Sequence, residues 1–314
     1  MLSLSADPMT TRDTLTCLCC GSARLRSRGA IPPAYVFAGR TLEQPLPGGE
    51  LLECKDCALC FRDPIHPATF YERHYAQGEA EPWDSNHGRI DHRVAREALV
   101  ALLPKGDVLD IGCGAGGLLA TLPPQYHRFG VEIGDEARRI AGQRGVQIVG
   151  RSFFELNAIA RTFDAIVATD VIEHHPEPHR LLDDCLMLLR PGGHLVFTTG
   201  ASDALLTRLA GGSFWYSQFA EHLTFVCPAW FERVGVGRCA VRLVRRFPYS
   251  ERTLASRAKG LAMMALYLVS SGTFERVERR LRPAAGPAAT LPPLPPGIGV
   301  SSDHFLIALQ KTET

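Results

Sequence analysis

The sequence predicts an α/β protein: a mostly parallel sheet covered by helices on both faces, preceded by a small cysteine-rich module. Three observations carry this reading. From residue 107 to 199, short apolar runs alternate with helix-length segments, the pattern of strands buried on both sides. A glycine-rich turn, "LDIGCGAGGLL" (109–119), joins the first such run to a helix. Six of the ten cysteines crowd into the first sixty residues, and paired cysteines can fold a module that has little core of its own.

At 314 residues the chain accommodates one large domain and a small module. Its 46% hydrophobic and 21% charged residues are those of an ordinary soluble protein. A net charge of +1 creates no global field for nucleic acid or an anionic membrane. Residues 1–16 read as a disordered tail, and "MLSLSADPMTTRDT" lacks the basic start and apolar core of a secretion signal. A cytoplasmic setting follows, which disfavours disulfides. Residues 17–66 form the cysteine module, and 67–314 the main domain with a helical and proline-rich insertion at 252–300.

The elements follow in order. "IDHRVAREALVALL" (90–103) sets Ile90, Val94, Leu99 and Leu102 on one face and stops at Pro104. Strands are expected at 107–111, 128–133, 146–149, 163–169 and 194–199, with helices at 135–144 and 178–189. Two more strands, 239–247 and 303–311, flank the insertion. Within it, "GLAMMALYLVSSGTFERVERRLR" (260–282) is apolar and then basic. Its apolar part is too short to span a bilayer. It reads as a buried helix, with a membrane-surface helix as the other option.

The glycine turn follows a strand and opens a helix, the setting a nucleotide-binding turn requires. Gly112, Gly114 and either Gly116 or Gly117 fit the spacing, and glycine lets the backbone approach a ligand closely. Glu132 stands twenty residues after Gly112, at the end of the next strand, where a carboxylate can bond both hydroxyls of an unphosphorylated ribose. Asp110 chooses between NAD and S-adenosylmethionine. A carboxylate is unfavourable beside a pyrophosphate but favourable beside an amino group and a sulfonium.

Downstream, "FDAIVATDVIEHHPEPHRLLDDCLMLLRPGGHLVFTT" (163–199) agrees. It closely resembles the class I S-adenosylmethionine-dependent methyltransferases, with their F-D-x-I, x-x-x-E-H and L-x-P-G-G-x-L signatures. The resemblance covers about residues 88–250 and implies a Rossmann-like seven-stranded sheet with the last strand antiparallel, a role "DHFLIALQK" (303–311) suits. It implies that Asp110, Gly112, Gly114 and Gly116 line the methionine and that Glu132 holds the ribose. Ser152 and Phe153 stand where the adenine contact belongs, and Asp170 and Val171 follow the fourth strand. Tyr71 and Tyr75 either cover the cofactor or pack in the core.

Cys17, Cys20, Cys54 and Cys57 form two C-x-x-C pairs, the tetrahedral sulfur set a structural zinc prefers. Cys19 and Cys60 are the alternatives within the cluster. The adjoining "CALCFRDPIHPATFYERHYA" (57–76) resembles the linker of zinc-bearing methyltransferases of sugar and polysaccharide pathways. Some of these carry Tyr-x-Glu-His after the fifth strand, with the histidine as general base. The match here is Phe219-Ala220-Glu221-His222, with phenylalanine replacing the tyrosine. His222 therefore ranks first as base with Glu221 orienting it, and His174 ranks second, its other role being to hold the loop after strand four. His175 and His179 read as loop packing and outer-helix residues.

The activity implied is methyl transfer to an O or C centre of a small-molecule acceptor, with a sugar or nucleotide sugar as the acceptor class that the linker resemblance implies. Two alternatives compete with it. One is an RNA methyltransferase gripping RNA through the zinc module, with "SARLRSRG" (22–29) as its only basic support. The other is methylation of a lipid-linked acceptor. Nucleic acid and membrane are the disfavoured partners, and the sequence specifies no oligomeric state.

Overall fold

The computed structural model describes residues 15–38, 40–76, 89–249, 253–281 and 302–313. The cysteine-rich segment contains five strands: β1 (Leu25–Ile31), β2 (Ala34–Phe37), β3 (Arg40–Leu46), β4 (Gly49–Cys54) and β5 (Cys60–Asp63). The apolar signal is weak in β1 and β3, whose residues are largely exposed; β1 fully buries only Ile31. Strands β1, β4 and β5 pair antiparallel, while β2 and β3 make a separate hairpin.

The main domain continues with α1 (Ala68–Ala76), α2 (Ile90–Leu102), β6 (Gly106–Ile111), α3 (Gly117–Ala120), β7 (Tyr126–Val131) and α4 (Asp135–Gln143). It runs on through β8 (Gln147–Gly150), β9 (Phe163–Thr169), α5 (Pro178–Leu188), β10 (Leu189–Gly200) and α6 (Leu205–Ala210). Then come β11 (Thr224–Phe225), α7 (Pro228–Val234), β12 (Cys239–Phe247), α8 (Leu254–Val269), α9 (Ser271–Leu281) and β13 (His304–Lys311). Seven strands form one sheet in the order β12-β13-β10-β9-β6-β7-β8. Only β13 runs antiparallel to its neighbours. This is the seven-stranded Rossmann-like sheet that the resemblance implied.

The alternation of side chains along each strand supplies two cores, one per face. Leu109, Ile111, Ile166 and Phe197 pack with Leu181 and Leu182 of α5 and with Trp230 and Phe231 of α7. On the other face Val108, Val167, Val196 and Leu306 meet Val94 and Leu99 of α2. Between β6 and β9 the chain order reverses, and such a switch opens a crevice at the carboxyl ends of the strands.

The cysteine module is built into this domain. Its sheet has the order β1-β4-β5-β11, so the two-residue strand Thr224–Phe225 of the main domain completes it. Cys17, Cys54 and Cys57 join the same core as Trp230.

One expectation is corrected. The described part of the segment 260–282, residues 260–281, is not a buried helix: α8 and α9 fully bury only Met264 and Phe274. Neither belongs to the cores on the sheet. The expected tail, save for Leu15 and Thr16, and the proline-rich 282–297 lie outside the described residues.

Candidate active site

A cavity of about 240 Å³ opens at the carboxyl ends of β6, β7 and β9. One wall carries Asp110, Gly112, Gly114, Glu132, Phe153, Asp170 and Val171. The opposite wall carries Tyr75, His174, Trp215, Tyr216, Phe219, Glu221, His222 and Tyr249. Most residues singled out from the sequence therefore meet in one place.

The glycine wall is shaped by backbone geometry. Gly112 has φ +72°, and a Cβ there would meet Val171 Cγ2 at 2.8 Å. Gly114 also has positive φ, and its N–H donates to Glu132 Oε2 at 3.0 Å. The Gly134 N–H donates to Glu132 Oε1 at 2.8 Å. Each oxygen of Glu132 is thus pinned by one amide and keeps lone-pair capacity for hydroxyl donors in the cavity. Burial raises the Glu132 pKa, against the pull of these amides. Asp110 is buried at the end of β6. These residues fit S-adenosylmethionine: a glycine cradle that a side chain would fill, and carboxylates placed for ribose hydroxyls and an ammonium.

Two of the expected contact residues stand off the cavity wall. Gly116 does not line the cavity; a Cβ there would meet Val146 and Ala141, and its φ of +78° serves the turn into α3. Ser152 does not line it either, because its hydroxyl accepts the Phe154 N–H at 3.1 Å and caps the local turn. Its neighbours Arg151 and Phe153 do face the cavity. Arg151 had no signal in the sequence beyond its position after β8.

Asp170 occupies the floor with φ +51°, a backbone region that costs a non-glycine residue energy and recurs at functional sites. Its Oδ2 accepts from Arg89 Nη2 at 3.1 Å. Burial first, then the charges of Asp91 and Glu173, push its pKa up to about 8.

The opposite wall is a histidine pair. The His222 Nδ1 lies 2.8 Å from the Tyr216 carbonyl. A carbonyl only accepts, so Nδ1 carries the hydrogen and Nε2 keeps its lone pair. Burial, then the nearby His174 and Arg62, lower the His222 pKa well below its ordinary value. The His174 ring lies 4.9 Å from that of His222. His174 Nδ1 sits 2.6 Å from the Tyr75 hydroxyl and 3.0 Å from the Glu221 carbonyl. Tyr71, by contrast, is buried beside Phe37 and Phe70, and its hydroxyl accepts the His66 N–H at 3.1 Å.

The role assigned to Glu221 is corrected. Its carboxylate accepts the Ala38 N–H at 3.2 Å and bonds no atom of His222. What orders the His222 loop is Arg62 of β5, buried among carbonyls. Its Nη2 donates to the Ser217 and Phe219 carbonyls at 2.8 and 3.0 Å, and its Nε to the His222 carbonyl at 3.3 Å. Glu173, also missed, accepts from the hydroxyls of Thr199 and Tyr216 beneath the histidines. His175 is buried in its loop, and His179 opens α5, as expected.

In the module, the sulfurs of Cys17, Cys20, Cys54 and Cys57 lie within 4.8 Å of one another. The pairs Cys17–Cys57 and Cys20–Cys54 are 3.5 Å apart. A tetrahedral zinc with ~2.3 Å bonds separates its sulfurs by about 3.8 Å, so the set fits that ion. Cys19 donates its N–H to Cys17 Sγ at 3.4 Å, and Cys60 packs with Phe214 and Phe225. The arginines of "SARLRSRG" pair with module acids: Arg24 with Asp56, Arg26 and Arg28 with Glu53.

The sheet order is that of the Rossmann-like methyltransferase fold. Residues 83–234 match the sequence model of a family described as "Methyltransferase domain". Among curated proteins, the chain is 33% identical to a ubiquinone biosynthesis O-methyltransferase of Xylella fastidiosa over 100 residues, 29% of this chain and 41% of that one. It is 35% identical to the protein of the same name from Coxiella burnetii, again over 29% of this chain and 42% of the relative. The matches span less than half the length of these relatives. Among solved structures, N-methyltransferase NodS of Bradyrhizobium japonicum with S-adenosyl-L-homocysteine superposes with a TM-score of 0.47 at 14% identity. That superposition covers 78% of this chain and 98% of NodS.

Proposed function

We propose that this protein is an S-adenosylmethionine-dependent methyltransferase acting on an oxygen of a small-molecule acceptor. The observation that carries the reading is one cavity with two chemically distinct walls, a glycine–carboxylate wall suited to the cofactor and a neutral histidine facing it. Bound there, S-adenosylmethionine supplies an electrophilic methyl group. Asp110 would balance its ammonium, and Glu132 would accept from its ribose hydroxyls. His222 Nε2 accepts the acceptor's proton, and the Tyr216 carbonyl steadies the imidazolium through Nδ1–H. Much of the rate comes from holding the acceptor in line.

Oxygen is favoured over carbon because the named relatives are O-methyltransferases. A sugar or nucleotide sugar is the acceptor class that the linker after the cysteines implies. Zinc held by Cys17, Cys20, Cys54 and Cys57 is structural here, since four sulfurs leave no open position for chemistry. The RNA alternative loses its support, because the module's arginines are paired with acids of the same module. The test is transfer of labelled methyl from S-adenosylmethionine to a panel of nucleotide sugars, phenols and RNA. Label on a nucleotide sugar supports the full reading; label only on RNA would overturn it.

A further inference from the structure

One carboxylate ties together two aromatic residues from distant parts of the chain. Asp303, just before β13, is fully buried. Its Oδ1 accepts the Tyr249 N–H at 3.0 Å, and its Oδ2 accepts from Trp215 Nε1 at 3.3 Å. His304 Nδ1 lies 3.2 Å from the same Oδ1. A buried carboxylate is costly unless it is hydrogen-bonded. Here each of its oxygens is committed to a residue that lines the cavity.

The two residues belong to a row of rings. Trp215 lies 5.1 Å from Tyr249 and 5.8 Å from Phe219, and Phe219 lies 4.9 Å from His222, centroid to centroid. All four line the cavity. Tyr249 stays 44% exposed, and Trp215 is half-buried. Large rings left open inside a concave site are surfaces for a ligand. Asp170 lines the same cavity, and its Oδ1 is buried and takes no hydrogen bond from the described residues. A buried acceptor of that kind calls for a donor. Asp170 is also a neighbour of Tyr249: burial, then the Asp170 charge, push the Tyr249 pKa up to about 12.

We propose that Trp215 and Tyr249 form the platform on which a pyranose ring of the acceptor lies, with Asp303 as the positioning residue that fixes both. The C–H face of a pyranose is apolar and packs on aromatic rings, while its edge carries hydroxyls. One edge hydroxyl would donate to Asp170 Oδ1, and another would lie along the row of rings that ends at His222. A phenol brings one hydroxyl, which the reaction uses at His222, and leaves Asp170 unmet. The inference rests on the proposed function and divides its acceptor wall into a platform, a polar edge and a base. Asp303 itself touches no acceptor; it acts through the two residues it holds.

The test is calorimetry on the full chain saturated with S-adenosyl-L-homocysteine and titrated with UDP-glucose, GDP-mannose, dTDP-glucose and phenol. Wild type should bind at least one of the three sugars. Trp215→Ala and Tyr249→Ala should each weaken that sugar at least about tenfold, as expected for losing a ring contact. Both should keep the wild-type circular dichroism and S-adenosyl-L-homocysteine affinity. Asp303→Asn keeps the side-chain size but only one accepting oxygen, and should weaken the sugar roughly three- to tenfold. Added to Trp215→Phe, which has already lost the indole N–H, it should cost less than it does alone. In labelled-methyl transfer, Asp303→Asn should raise the acceptor KM and leave that of S-adenosylmethionine unchanged. Alanine variants that bind the sugar as wild type does, or an asparagine effect fully additive with Trp215→Phe, overturn the inference. Wild type that binds S-adenosyl-L-homocysteine but no sugar, with or without phenol, strikes the inference alone. Wild type that binds neither S-adenosyl-L-homocysteine nor a sugar strikes the proposed function with it.

Discussion

The guanidinium of Arg62 donates through Nε to the His222 carbonyl at 3.3 Å and through Nη2 to two further carbonyls of the same loop. A residue five positions after Cys57 therefore holds the wall of a cavity formed by a distant part of the chain. These bonds tie the cysteine module to the histidine wall of the cavity. Arg62→Met should lower stability by about 1–3 kcal/mol, since buried carbonyls lose their donors. Turnover should fall more than S-adenosylmethionine affinity, and Arg62→Lys should recover part of it. Denaturant melts and calorimetry on the three proteins check this.

His222→Ala should cut single-turnover methyl transfer by about two to four orders of magnitude, the range for losing a general base. Cofactor affinity should barely change, because Glu132 and the glycine turn lie on the other wall.

The pH dependence follows from burial. The folded-state pKa of His222 is depressed, so the neutral form persists below the ordinary histidine range and is lost only as pH falls further. The acid limb of the wild-type rate should lie below pH ~6.5. Arg62→Met removes a cation that disfavours protonation, so its acid limb should move up. A wild-type limb above pH ~7 would exclude His222 as the titrating base.

The sheet was legible in the sequence because its strands are short apolar runs between helical segments. The observed strand β9 (Phe163–Thr169) coincides with the expected one. The module's strands were not legible, since β1 and β3 are largely exposed and polar. Glu221 was misread because adjacency along the chain says nothing about direction; its carboxylate turns to Ala38. Arg62 was invisible because its partners lie 155–160 residues away. For α8, hydropathy marks an apolar face but not whether protein covers it.

Glu221→Gln should keep near-normal turnover, within a few-fold of wild type, because the amide oxygen can still accept from the Ala38 N–H. A loss of about a hundredfold, comparable to removing the base, would restore an orienting role for the carboxylate.

Cys20→Ser should release zinc and loosen the sheet that β11 completes, lowering both stability and turnover. Cys19→Ser should retain one zinc per chain, since it supplies only a backbone N–H to Cys17. Elemental analysis of the two variants beside wild type decides between them.

The central claim is that the cavity between Gly112, Gly114 and Glu132 receives S-adenosylmethionine. Isothermal titration of wild type and Glu132→Ala with S-adenosylmethionine, its demethylated product and NADH tests it most directly. Wild type should bind the first two and ignore NADH, and Glu132→Ala should weaken both interactions at least about tenfold while remaining folded, as expected for losing charged hydrogen bonds to a ribose. Binding of NADH with no response to S-adenosylmethionine or its product would contradict the account.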